Sequence, residues 1–63
     1  MSEKRVTVED VVDGTWRDLR ESWPTLTKQW LQEQADLILA GKAPQGSPGM
    51  ILQKYLREFG FLA

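Results

Sequence analysis

Apolar and polar positions along this chain recur with the period of an α-helix. Trp16, Leu19, Trp23, Leu26 and Trp30 follow one another at three- and four-residue steps, so that three tryptophans stand seven residues apart. Upstream, Val8, Val11 and Val12 supply an apolar side. Thr7 precedes them as an N-cap, with Asp10 placing an acid in the first turn, where the helix dipole favours it. Val6 and Val8 alternate over too short a run to support a strand. Gly14 interrupts the pattern, and Thr15 followed by Asp18 offers a second capping signal. The first helix is therefore expected over 8–22, either continuous or divided at Gly14.

Pro24 sets the next boundary. Proline costs about 3 kcal/mol inside a helix and little in its first turn. The chain is thus expected to break near Ser22 and Trp23, with a sharp corner of about one residue, and a second helix to run over 24–40. Leu26, Trp30, Leu37 and Ala40 form its stripe, widened by Leu31, Ala35 and Ile38, and Gly41 is a natural stop. Pro44 and Gly46 mark a loop, long enough for the last helix to pack back on the second. Ser47 is expected to cap that third helix, with Pro48 in its first position, and the helix to run over 48–59. Its apolar face is Met50, Ile51, Leu52, Tyr55, Leu56 and Phe59. Gly60 suits a left-handed cap, with Phe61 folding back on Leu56. The expected fold class is all-α: a small bundle of three helices, or four if Gly14 divides the first, spanning 7–63 behind a polar, frayed segment 1–6.

Composition narrows the chemistry. A chain of 63 residues makes one domain and is marginal unless something reinforces it. It has neither cysteine nor histidine, so disulfides, thiolate metal sites and the commonest general base are ruled out. Aromatic packing or association with another chain remains. A fully buried tryptophan contributes up to about 5 kcal/mol of gross transfer energy. Eight basic side chains balance nine acidic ones, far from the basic stripe of an autonomous nucleic-acid binder. No apolar run approaches a membrane span, and the start of the chain lacks the apolar stretch of a secretion signal. A cytoplasmic protein without cofactor or metal is expected.

Three features carry candidate chemistry. The tryptophan seam either fills the core or faces a partner, and Trp23, at the corner before Pro24, is the residue best placed for exposure. Glu9, Asp10, Asp13, Asp18 and Glu21 form an acidic cluster without the frame of a calcium loop. It reads as a solvated face, with Asp13–Arg17 and Arg17–Glu21 as i,i+4 pairs, or as a surface for a basic partner. The loop from Gly41 to Ser47 spaces two glycines as a phosphate-binding loop does, but Ser47 stands where the lysine is needed and no strand precedes it. A helix start near Ser47 still attracts anions, and Lys42, Lys54 and Arg57 are the candidate phosphate contacts.

The run Ala35-Asp-Leu-Ile-Leu-Ala-Gly-Lys-Ala-Pro44, followed by Ser47-Pro-Gly-Met-Ile-Leu-Gln-Lys-Tyr-Leu-Arg-Glu-Phe-Gly60, resembles the helix–loop–helix of some phage small terminase subunits, the recognition component of DNA packaging. The resemblance covers about 26 of the 63 residues. It implies an oligomeric, DNA-touching phage protein, with Lys42, Lys54 and Arg57 toward the phosphates.

The residues themselves point to a non-enzymatic interaction module: an inhibitor, adaptor or assembly factor that binds another protein or itself. Its expected interface is Trp16 and Trp23 with Asp13, Asp18 and Glu21. A DNA-binding accessory protein using the third helix and the 41–49 loop is the alternative. No catalytic residue, small-molecule substrate or membrane partner is expected.

Overall fold

A computed structural model describes residues 6–62 of the chain. The frayed segment expected over 1–6 lies, apart from Val6, outside the described residues. Three helices form: α1 (Val8–Leu19), α2 (Lys28–Leu39) and α3 (Gly46–Glu58), each packed against the other two. None is long and apolar enough to cross a membrane.

Thr7 caps α1 as its sequence implies. The Thr7 hydroxyl accepts from the Asp10 amide at 3.1 Å, and the Asp10 carboxylate accepts from the Thr7 amide at 3.1 Å, a reciprocal capping box. The helix then runs through Gly14 unbroken, so the described residues form three helices and not four. Thr15 caps nothing; it is buried on the inner face beside Val11, Val12 and Leu19.

The connection between α1 and α2 departs most from expectation. Both helices are shorter than the 8–22 and 24–40 of the sequence reading, and eight residues, 20–27, link them. Pro24 does not start a helix. The Leu26 amide donates to the Trp23 carbonyl at 2.9 Å, which makes Pro24 the second residue of a β-turn. Its fixed φ suits that position as well as it suits a first helical turn. Thr27 caps α2 instead, its hydroxyl accepting from the Trp30 amide at 3.1 Å. Because α1 ends at Leu19, Glu21 lies past the helix, and the Arg17–Glu21 ion pair does not form.

Glycines end α2 and α3 as the sequence implies. Gly41 and Gly60 adopt φ of 87° and 86°, a region that costs other residues strain. In each case an amide closes back on the last turn, Lys42 to the Leu37 carbonyl and Phe61 to the Leu56 carbonyl, both at 2.9 Å. Phe61 packs against the core from there.

The start of α3 is a correction. The helix begins at Gly46, Gln45 occupies the cap position without a side-chain bond, and Ser47 is inside the helix. The chain is held from outside. The buried Gln34 side chain accepts from the Gln45 amide at 2.8 Å. Gly49 lets this happen: a Cβ there would stand 3.0 Å from the Pro44 Cβ and 3.3 Å from the Gln34 Oε1.

The core is aliphatic. Val11, Val12, Leu31, Ala35, Ile38, Leu52 and Leu56 form one buried cluster. On α2 the buried line is Leu31, Gln34, Ala35 and Ile38, so the residues expected to widen the stripe are its centre, while Ala40 is exposed. The junction of three helices accepts aliphatic side chains, and the indoles of Trp16 and Trp30 cover its edges. On α3, Met50 and Phe59 leave the expected apolar face and are 62% and 55% exposed.

Two glycine substitutions test this packing with opposite signs. Gly14 is helical, and a Cβ there meets nothing within 4 Å. Gly14→Ala is expected to raise stability by about 0.5–1 kcal/mol, the helix-propensity gain. Gly49→Ala gains the same propensity but collides with Pro44 and Gln34, and is expected to lower stability by about 1 kcal/mol net. Urea unfolding of both variants beside the wild type checks the signs.

Candidate functional site

Trp16 belongs to the scaffold. Its indole N–H donates to the Leu26 carbonyl at 3.0 Å, pinning the 20–27 connection to α1. The Arg20 guanidinium lies over its ring, 5.2 Å from the centroid. With Trp16 so engaged, Trp23 sits in the β-turn and remains 36% exposed.

Trp23 is one wall of an open cleft of about 330 Å³. Leu26 and Trp30 continue the apolar lining, and Pro48 and Gly46 of α3 close the far side. Thr25 and Thr27 give the rim hydroxyls. The cleft is thus built where the α1–α2 connection meets the start of α3. The sequence carries no signal for Pro48 and Gly46 here, because their proximity to Trp23 exists only once α3 has packed.

A second concavity, about 520 Å³, runs between α1 and α3. Val11, Gly14 and Thr15 of α1 face Tyr55 of α3 and Phe59, its C-cap, with Asp10 and Asp18 along the edge. The spacing of Asp10, Gly14 and Asp18 is legible as one helical row; the wall opposite is not.

The residues expected to form one interface do not come together. Trp16 is a bracket, Trp23 lines the cleft, Asp18 edges the α1–α3 groove, and Glu21 is an exposed residue of the connection. Asp13 is an ion-pair node: Arg17 Nε lies 3.1 Å from one carboxylate oxygen and Lys28 Nζ 3.0 Å from the other. Arg17 is the partner that i,i+4 spacing predicts. Lys28 has no such signal, because only the folded-back connection brings the start of α2 to the middle of α1. The Lys28 hydrogen bond, with the positive charges of Arg17 and Lys28, holds the Asp13 pKa below its ordinary 3.8, outweighing the opposing effect of burial.

The candidate phosphate contacts are also dispersed. Lys42 is in the loop, whereas Lys54 and Arg57 lie about 12 and 16 Å along α3 from Gly46, so they do not gather at the helix start. Among the described residues no three carboxylates cluster as a metal would require. No protein-family model, curated protein or solved structure matches the chain.

Two measurements probe this geometry. Asp13 has a depressed folded pKa, so its ionisation stabilises the fold above the unfolded value and that contribution fades as pH falls through the folded one. The stability gap between wild type and Asp13→Asn is therefore expected to be constant near about pH 6 and to shrink below pH 3.8, as read by urea melts across pH. Thr15 Oγ1 is buried without a hydrogen-bond partner. Thr15→Val keeps the shape and removes the orphaned hydroxyl, and is expected to raise stability by about 1 kcal/mol in the same assay.

Proposed function

We propose that this chain is a non-catalytic recognition module that binds another protein by inserting an apolar anchor of that partner between Trp23 and Trp30. The observation that carries this reading is the exposed Trp23, held on a hydrogen-bonded proline turn over a cleft with Leu26, Trp30 and Pro48. The core beneath is already filled by aliphatic side chains, so Trp23 serves no interior contact of comparable size. Tryptophans on rigid supports in desolvating clefts are where binding energy concentrates. The absence of imidazole and thiol supports docking over bond-making. The cytoplasm is the compartment that fits a cysteine-free chain of this kind. An assembly or inhibitory factor, as the resemblance of 35–60 to a phage packaging component suggests, is the role such a module would fill.

A nucleic-acid reading draws on one observation: Lys42, Lys54 and Arg57 are exposed and belong to neither ion pair found among the described residues. Their dispersal argues for the protein partner.

The test uses the wild type, Trp23→Ala and Met50→Ala as baits in extracts of the producing cell, with folding checked by circular dichroism. A partner retained by wild type and Met50→Ala, lost by at least about tenfold with Trp23→Ala, is expected. Retention should persist at about 0.5 M salt, whereas phosphate contacts weaken steeply there. Undiminished capture by Trp23→Ala, or tight duplex-DNA binding that collapses with salt, would contradict the proposal.

A further inference from the structure

We propose that the groove between α1 and α3 is a second docking surface and that its occupant is a helix of another protein bearing two cations about two turns apart. This goes beyond the tryptophan-cleft reading and stands without it. Asp10, Gly14 and Asp18 are spaced i, i+4, i+8 and all line the groove. Their positions put the two carboxylates about 12 Å apart along the axis. Between them a Cβ on Gly14 would meet nothing within 4 Å, so the α1 backbone is open to close approach. Phe59, 55% exposed, and Val6, 46% exposed, offer apolar surface to whatever lies there.

The charge of the groove selects the occupant. Arg17 also lines it, but its guanidinium is engaged by Asp13 at 3.1 Å. Neither Asp10 nor Asp18 is in an ion pair among the described residues. The groove therefore presents two carboxylates to be matched by cations. A separate observation marks the same place: Thr15, 2% exposed and in the groove lining, holds the one buried side-chain polar atom without a partner among the described residues. A helix laid across the Gly14 notch fits all three features. Small residues pass the notch, cations seven or eight positions apart meet Asp10 and Asp18, and a polar group between them answers the Thr15 hydroxyl.

Among the described residues, a second copy of this chain offers no matching pair of cations. On its helices Arg17 and Lys28 are held by Asp13, and Lys54 and Arg57 are only three residues apart. The occupant is a different protein.

The probe is a capped, alanine–leucine helical peptide with two lysines seven residues apart, alanines between them and one central serine. Its control carries glutamates in place of the lysines. Each is titrated into isotope-labelled full-length protein and followed by amide chemical shifts. Saturable shifts at Gly14, Thr15, Tyr55 and Phe59 are expected with the lysine peptide, at least about tenfold weaker with the control. The double variant Asp10→Asn, Asp18→Asn should weaken binding by at least about tenfold, while the amide oxygen introduced by Asp10→Asn keeps an acceptor for the Thr7 cap. Gly14→Leu places a good helix former in the notch and should abolish the shifts, with a thermal melt showing the fold intact. Trp23→Ala should leave the titration unchanged, which separates this surface from the tryptophan cleft. Equal binding of the two peptides, shifts centred on Trp23 and Trp30, undiminished affinity in folded Gly14→Leu, or no shift up to about 1 mM peptide would overturn the proposal.

Discussion

The hydrogen bond from the Trp16 indole to the Leu26 carbonyl fixes where the α1–α2 connection runs. Eight residues between two helices can take many paths, and a connection of that length carries an ordering cost of about 1–2 kcal/mol per residue. Here one large side chain supplies both a hydrophobic plate and a donor, and the donor reaches the last stretch before α2. The chain is thereby folded back against α1. Three things depend on that path: Thr27 meets the start of α2 as its cap, Lys28 comes within 3.0 Å of Asp13, and Trp23 is carried to the outside of the turn.

The division of labour among the three indoles follows from size and polarity. Leu31, Leu52 and Leu56, wholly buried where the helices meet, need no hydrogen-bond partner. An indole in that position would leave an unsatisfied N–H unless a carbonyl were at hand, and carbonyls inside helices are already engaged. Trp16 resolves this at the edge of the core by finding a carbonyl outside the helices. Trp30 covers another edge, and Trp23 is left to the surface. The two concavities are by-products of this arrangement. One opens where the connection meets the start of α3, the other where Gly14 withholds a side chain opposite Tyr55 and Phe59.

The features legible in the sequence are those decided within a few residues. The Thr7–Asp10 box, the stops at Gly41 and Gly60 and the existence of three amphipathic helices are local matters of hydrogen bonding and backbone freedom. Pro24 is ambiguous because the same fixed φ serves a helix start and a turn; the competing cap at Thr27 wins through the Trp16 anchor, which acts from a distant turn of α1. Ser47 loses its place as a cap in the same manner, because Gln34, from another helix, secures the amide of Gln45. The site is half legible: Trp23 and the acidic row on α1 are sequence patterns, but Pro48, Tyr55 and Phe59 enter only through packing between helices.

Trp16 as a bracket and Trp23 as a surface residue are the two assignments on which the path of the connection and the tryptophan cleft stand. Hydrogen exchange of the three indole N–H groups, resolved in one spectrum of the wild-type protein, measures both directly. The Trp16 proton, half-buried and hydrogen-bonded, is expected to exchange at least about tenfold more slowly than that of Trp23, which exchanges at the rate of a solvent-exposed group. A Trp16 indole proton exchanging as fast as that of Trp23 would contradict these assignments.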